Sequence, residues 1–294
     1  MTVPDRRGES IVRVACIQTE PVFGAVEQNV SRSLEFISQA AEKGAGLVIL
    51  PELANTGYVF ASREEAFEFT EKIPDGSSTQ TWIEAARRHD ITIVAGIAER
   101  DGDVLFNSAV VVGPEGFIGT YRKNHLWGAE NLFFEPGDLG FPVFRTRFGR
   151  IGVAICYDIW FPEAFRLMAL QGADLICVPT NWVPMPEQPA GTPMMANILA
   201  MAGAHSNSMF IAAADRIGTE RGQPFIGNSL IVSHAGWPIA GPASLDREEI
   251  LLAEVNLSDA RRKRNLTEFN QTLRDRRTDV YDEMLGTGLK RGWY

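Results

Sequence analysis

The stretch IGVAICYDIWFPE, from Ile151 to Glu163, joins an apolar run to a polar turn. Ile151–Cys156 is short and apolar, which predicts a strand. Pro162–Gly172 is predicted to be a helix, and the next apolar run, Leu175–Pro179, predicts a second strand. This order of strand, helix and strand indicates an α/β fold.

The same alternation continues in both directions along the chain. Asn29–Gly44 is predicted to be a helix because its apolar residues recur at spacings of three to four. The other predicted helices are Ser77–His89, Thr192–Asn207 and Leu257–Arg274. The other predicted strands are Val12–Gln18, Gly46–Pro51, Ile91–Glu99, Phe106–Val112, Gly116–Arg122, Phe210–Asp215, Gly227–Val232 and Ile250–Val255. Without a repeat or a long linker, residues 1–294 are predicted to form one domain of central sheets covered by helices.

Composition limits the classes of partner. The formal net charge of -9 repels phosphate backbones, so nucleic acid is not an expected partner. Three cysteines are too few for a disulfide framework, which favours a reducing compartment. The first dozen residues contain no signal-peptide core, and no apolar run is long enough to span a bilayer. The expected location is therefore the cytoplasm, with no membrane association.

Cys156 is the strongest candidate nucleophile because it lies where an apolar strand gives way to a polar turn. Folds of the α/β class place reactive groups at such strand ends, and the turn can direct backbone N–H groups at an oxyanion. A lone cysteine is more often a core residue. Cys16 and Cys177, which lie within apolar strands, are predicted to be core residues.

Two ionisable residues also follow predicted strands. Partial burial of Glu52 would raise the pKa of its carboxyl and suit it to acid–base work, although a loop or helix-capping carboxylate is an equal alternative. Lys123 would lower the pKa of a neighbouring thiol and stabilise an oxyanion. Since all three groups end strands of one pattern, they can converge at one edge of the sheets. The sequence has no serine elbow, zinc helix or phosphate-binding loop that would compete with this arrangement.

Three blocks resemble the signatures of the nitrilase superfamily of carbon–nitrogen hydrolases: LPEL (Leu50–Leu53), YRKNH (Tyr121–His125) and CYDIWFPE (Cys156–Glu163). Their order and approximate spacing match, and the resemblance extends from about Val12 to Tyr281. It implies a four-layer αββα sandwich of two mixed sheets flanked by helices. It also implies a homodimer or larger oligomer, with the segment 257–294 at the interface.

The resemblance further implies a catalytic triad. Glu52 would move protons, Cys156 would attack, and Lys123 with the backbone N–H of Tyr157 would hold the oxyanion. No metal or organic cofactor is implied.

A second glutamate often assists in this family. Glu130 is the match because it keeps the family's distance to the Pro-Gly-Asp block at 136–138, and Glu135 is the rival candidate.

The residues that follow Cys156 indicate which class of substrate is expected. Tyr157-Asp158 resembles the amidase branch, which implies hydrolysis of a small-molecule amide to carboxylate and ammonia through a thioester. Trp160–Glu163 is similar to carbamoyl-amine hydrolases, so an N-carbamoyl substrate is the second alternative and a nitrile the third. A binding protein of the same fold is the non-enzyme alternative.

Several side chains near the strand ends are candidates to contact the substrate. For any single aromatic residue among them, core or dimer-interface packing is the more common role than substrate contact. Arg216 is the one candidate to bind a substrate carboxylate. The other candidates are Tyr58, Trp127, Phe133, Trp160, Asn181 and Trp182.

Overall fold

The computed structural model describes residues 10–285. The strands are β1 (Ile11–Gln18), β2 (Leu47–Ile49), β3 (Thr92–Asp101), β4 (Val104–Gly113), β5 (Gly116–Arg122), β6 (Val143–Arg145), β7 (Arg150–Val153), β8 (Leu175–Pro179), β9 (Phe210–Ala214), β10 (Thr219–Glu220), β11 (Gln223–Pro224), β12 (Leu230–Val232), β13 (Pro238–Ala240) and β14 (Glu249–Asn256). The helices are α1 (Val26–Glu42), α2 (Arg63–Phe69), α3 (Ser77–His89), α4 (Pro162–Leu170), α5 (Met195–Asn207), α6 (Asp259–Arg262) and α7 (Thr278–Leu285).

Twelve of these strands form two six-stranded sheets, ordered β14-β1-β2-β3-β4-β5 and β13-β12-β9-β8-β7-β6. In each sheet three central strands run parallel, β1-β2-β3 and β7-β8-β9, and the outer pairs are antiparallel. Both sheets are therefore mixed. Strands β10 and β11, of two residues each, form a separate antiparallel hairpin.

The strands of each sheet are buried on both faces, so the protein has a core between the two sheets and further packing between each sheet and its helices. In β1, Val14 and Cys16 belong to the core between the sheets, whereas Ala15 and Ile17 belong to a second core beneath α1 and α3. Successive side chains of a strand point to opposite faces, so a strand that is apolar throughout can contribute to two cores. Side chains of α4 and α5, such as Phe165, pack on the outer face of the other sheet. The result is the expected αββα sandwich.

Most predicted elements agree with the structure to within a few residues, and Ser77–His89 and Leu175–Pro179 agree at both ends. The predicted strand Ile151–Cys156 is shorter, because β7 ends at Val153. The short helix α2 was not predicted. No helix in the described part of the chain is both long and apolar enough to cross a membrane.

The prediction of one helix over Leu257–Arg274 is wrong. Only Asp259–Arg262 is helical there, and the chain then turns irregularly until Thr278. Thr267 Oγ1 accepts hydrogen bonds from the backbone N–H groups of Phe269 and Asn270, at 3.2 and 3.0 Å. Such local side-chain bonds offer the backbone an alternative to helical pairing. The interface role implied for 257–294 remains a prediction, and residues 286–294 lie outside the described residues.

Candidate active site

Lys123 lies at the centre of a buried ionic cluster. It follows β5 directly, and its Nζ lies 2.6 Å from Oε1 of Glu52 and 2.7 Å from Oε1 of Glu130. The side chains of Lys123 and Glu52 are fully excluded from solvent, and that of Glu130 is 4% exposed. Asn107 on β4 donates a further hydrogen bond to Oε1 of Glu52, at 2.7 Å. A buried ammonium requires such compensation, because an unpaired ion in the interior is costly.

Two glycines allow the backbone to form this cluster. A Cβ on Gly96 would lie 2.3 Å from the carbonyl oxygen of Pro51, so only glycine lets β3 pack against the turn that carries Glu52. A Cβ on Gly137 would lie 2.1 Å from the carbonyl oxygen of Arg122, and the N–H of Gly137 donates to the Lys123 carbonyl at 2.8 Å. Neither glycine stands out in the sequence as a packing residue.

The cluster shifts the pKa of both partners. Burial raises the pKa of Glu52 to about 7, with Lys123 opposing this shift and Glu130 adding to it. Burial alone would lower the pKa of Lys123, but Glu130 and Glu52 outweigh it and raise the pKa above its ordinary value. Lys123 therefore stays charged at neutral pH, while Glu52 is balanced between its acid and base forms.

Cys156 occupies a sharp turn. Its φ is 45°, a left-handed value that is unfavourable for a residue with a side chain, and it begins a 3-10 turn over Cys156–Trp160. Burial and the charge of Glu52 raise the pKa of its thiol, whereas Lys123, the Thr180 hydroxyl and the Asn181 N–H lower it. Lys123 lowers the pKa of the Cys156 thiol as expected, but by less than burial raises it. Removal of the thiol proton therefore requires a base.

Asp158 connects the turn of Cys156 to the loop of Lys123. Its Oδ2 accepts hydrogen bonds from Tyr121 Oη at 2.6 Å and from the Ile155 N–H at 2.9 Å. Its Oδ1 accepts a hydrogen bond from the N–H of His125 at 3.1 Å and lies 2.8 Å from His125 Nδ1. Asp158 lies within the block Cys156–Glu163, but its role in joining the two segments is not evident from the sequence.

The residues predicted to contact the substrate line two neighbouring cavities. Cys156 and Tyr157 line a cavity of about 20 Å³ together with Trp127, Trp160, Asn181 and Trp182. Tyr58 instead lines a cavity of about 230 Å³ with Phe133 and Glu130, and Trp127 borders both cavities.

Two of these residues also support the ionic cluster. Asn181 Nδ2 donates to the backbone carbonyl of Glu52 at 3.0 Å. Tyr58 Oη donates to Oε1 of Glu130 at 2.5 Å.

Glu130, Glu135 and Arg216 occupy different environments in the structure. Glu135 is exposed, whereas Glu130 lies beside Lys123. Arg216 is buried, its Nη1 lies 2.6 Å from Glu220 Oε2, and it lines neither cavity. The interpretation of Arg216 as a carboxylate contact is therefore wrong. Glu220 Oε1 in turn accepts the N–H of Tyr58 at 2.7 Å, so the Arg216–Glu220 pair holds the Tyr58 segment.

The remaining cysteines and the acidic residues form no second centre within residues 10–285. Cys16 and Cys177 are buried in the core between the sheets, as predicted, and burial raises the pKa of both thiols. No group of three or more His, Cys, Asp or Glu residues in this part of the chain could hold a metal ion.

Comparison with known proteins relates the chain to the carbon–nitrogen hydrolases. A sequence model described as carbon-nitrogen hydrolase matches residues 13–265. A protein of Pyrococcus abyssi named nitrilase is 47% identical over 92% of this chain and 99% of its own length. The N-carbamoylputrescine amidase of Solanum lycopersicum is 34% identical over 88% of this chain and 90% of its own. The crystal structure of a carbon–nitrogen hydrolase from Helicobacter pylori superposes with a TM-score of 0.83, at 28% identity, over 94% of this chain and 99% of the other.

Proposed function

Because this chain belongs to the carbon–nitrogen hydrolase family, we propose that it hydrolyses a small-molecule amide to a carboxylate and ammonia, with Cys156 as the nucleophile. The observation that carries the proposal is the buried Lys123 ammonium, held by Glu52 and Glu130 close enough to Cys156 to influence its pKa. A fixed positive charge in a dry site stabilises a developing oxyanion more than it would in water.

The reaction proceeds in two halves. Glu52 accepts the thiol proton as Sγ of Cys156 attacks the amide carbon. Lys123 and the backbone N–H of Tyr157 stabilise the tetrahedral oxyanion. When the C–N bond breaks, Glu52 donates its proton to the departing ammonia and a thioester remains. Glu52 then takes a proton from water, the resulting hydroxide attacks the thioester, and the thiol is restored with release of the carboxylate. A carboxyl pKa of about 7 suits both directions of proton transfer.

Two other substrates use the same groups and remain candidates. The relative named N-carbamoylputrescine amidase favours an N-carbamoyl amine, which would release carbon dioxide, ammonia and the free amine. The relative named nitrilase, at 47% identity, favours a nitrile, which would add two water molecules to give the carboxylate and ammonia. We retain the amide as the first proposal because the Tyr157-Asp158 pair resembles the amidase branch.

We also propose that the chain self-associates through the exposed faces of α4 and α5. Leu167 and Leu170 on α4 are 48% exposed, and Met195 and Ile198 on α5 are 43% and 40% exposed. Exposed apolar residues on two contacting helices are typical of a protein interface. Light scattering after gel filtration should give a mass of at least two chains, and a Leu167→Glu, Leu170→Glu variant should give one.

The decisive experiment for the catalytic proposal measures ammonia release from a panel of primary amides, N-carbamoyl amines and nitriles. Cys156→Ala should abolish release, whereas Cys16→Ala, a second buried cysteine outside both cavities, should retain it. Equal rates in the wild type and Cys156→Ala contradict the proposal. No turnover of any compound by the wild type favours a binding protein of this fold. Product analysis for carbon dioxide and for the substrate consumed separates the three chemistries.

A further inference from the structure

The cavity at Cys156 is too small for a whole substrate. A volume of about 20 Å³ accommodates a group of roughly one water's size, whereas the neighbouring cavity measures about 230 Å³. Trp127 and Val183 line both cavities, so the two adjoin. We call the larger one the side chamber. If the reacting C–N group lies at Cys156, the rest of the molecule has room in the side chamber.

The walls of the side chamber are mainly apolar. Phe60 packs edge-on against Phe133 and Phe134, with ring centroids 6.3 and 5.7 Å apart, and all three side chains line the chamber. The ionisable side chains in its wall are Glu130 and Tyr58. Oε2 of Glu130 is buried and accepts no hydrogen bond from the described residues.

No Lys, Arg or His side chain among residues 10–285 lines either cavity. Lys123 is held by two carboxylates and, in the proposed mechanism, serves the oxyanion at the reacting end. The charge of Arg216 is paired with Glu220. Arg63 donates its hydrogen bonds to the backbone carbonyls of Phe133 and Asp103. Arg221 donates to the carbonyl of Val59 in the chamber wall and is paired with Glu65. A carboxylate in the side chamber would therefore lose its hydration, meet no cationic side chain among the described lining residues and lie near the Glu130 carboxylate.

We propose that the side chamber binds the distal part of the substrate and selects an apolar group without negative charge. The inference rests on the proposed function for the identity of the reacting end. Burial of methylene groups against the aromatic wall provides affinity, and an unpaired buried carboxylate opposes binding. The natural substrate is then an amide, ureido compound or nitrile of an uncharged, largely apolar chain, and not the half-amide of a diacid.

The test compares compounds of similar length that differ at the distal end. Hexanamide and 5-carbamoylpentanoate are titrated into Cys156→Ala by calorimetry and assayed as substrates of the wild type. Hexanamide should bind more tightly than the carboxylate by about tenfold or more, and kcat/KM should follow the same order. Equal or tighter binding of the carboxylate overturns the inference. If the wild type turns over none of the compounds while Cys156→Ala keeps the binding order, the proposed function fails and the inference stands.

A pair of variants tests the charge argument directly. Gln223 lines the side chamber and is only partly buried, so it tolerates a longer side chain. In the Cys156→Ala background, Gln223→Arg should improve binding of 5-carbamoylpentanoate relative to hexanamide by about tenfold. Gln223→Met, of similar length but uncharged, should not change that ratio. The same ratio in both variants overturns the inference.

A further variant tests whether the distal part of the substrate lies in the side chamber. Val183→Phe fills the boundary between the cavities and should lower kcat/KM for hexanamide more than for acetamide. Val104→Phe makes the same change at an exposed position on β4 and should leave the ratio of the two amides unaltered. Equal losses for both amides in Val183→Phe would show that the long chain does not enter the side chamber, and the inference would be overturned.

Discussion

The Nζ atom of Lys123 lies 2.6 Å from Oε1 of Glu52, and both side chains are excluded from solvent. The two residues are 71 positions apart in the chain and follow different strands of one sheet. In the proposed mechanism their contact links the stability of the site to its chemistry, because the charge that would stabilise an oxyanion also compensates two buried carboxylates.

The first prediction concerns the stability of the cluster. Lys123→Met removes the cation and leaves Glu52 and Glu130 side by side in the interior. We expect a loss of about 3–5 kcal/mol in the free energy of unfolding at pH 7, since breaking a buried ion pair leaves charge uncompensated. Urea denaturation measures it. Lys263→Met, which removes an exposed i,i+4 pair with Asp259, should cost about 1 kcal/mol or less. Similar costs for both variants would contradict the prediction.

The second prediction concerns the pH dependence of activity. Glu52 must be ionised to accept the thiol proton, and its pKa is about 7. We therefore expect kcat/KM to rise with pH through about 7. Glu52→Gln should lower kcat/KM by about 10²–10⁴-fold, the usual contribution of acid–base catalysis. Glu42→Gln, at an exposed position on α1, serves as the control. A pH profile that is flat between 5.5 and 8.5 would exclude Glu52 as the base, as judged by stopped-flow or steady-state assays.

The same pKa predicts how stability varies with pH. The carboxyl of Glu52 has a higher pKa in the folded protein than in the unfolded chain, so the folded state binds more protons between these values. Stability from this group is fully present below the unfolded pKa of about 4.5 and is lost as pH rises to about 7. Subtracting the unfolding free energy of Glu52→Gln from that of the wild type at each pH isolates the effect. A difference that grows with pH over this interval would refute it.

A fourth prediction concerns Asp158, which we regard as a positioning residue. Asp158→Asn replaces an acceptor by a donor opposite the Ile155 N–H or the Tyr121 hydroxyl, and so loosens the turn of Cys156 relative to Lys123. We expect kcat to fall by about tenfold or more with a smaller change in KM, because misplacement of a reacting group affects the transition state most. Tyr121→Phe removes one of these bonds and should cost about 1 kcal/mol of stability. A rise in KM alone would show that Asp158 contributes only to substrate binding.

The last prediction tests close packing at Gly137. Gly137→Ala places a Cβ about 2.1 Å from the Arg122 carbonyl oxygen, so the backbone beside Lys123 must move. We expect a loss of stability of about 1–3 kcal/mol, the usual cost of overpacking, together with reduced kcat. In Gly113→Ala the new Cβ meets only the side chain of Ile118, which is partly exposed and can move. Thermal unfolding and activity of the two variants provide the comparison. Equal behaviour would show that the Gly137 contact is not tight.

The sequence by itself determined the elements and their layering. Runs such as Leu175–Pro179 are short and apolar at every position, which predicts strands buried on both faces. The helix Ser77–His89 was predicted at both ends, because its apolar period and its flanking residues are local features. The position of Cys156 after an apolar run likewise placed it at a strand end.

Tertiary structure alone decided which charges meet. Glu130 and Glu135 are equivalent as residue types, and only the three-dimensional path of the chain brings Glu130 to Lys123 and exposes Glu135. From sequence alone Arg216 is available to a ligand, whereas in the folded protein Glu220 pairs with it in the interior. Ion pairing and cavity shape depend on distances between residues far apart in sequence, and no local pattern encodes those distances. Periodicity therefore predicted the scaffold, while the charge balance of the site and the two cavities required the fold.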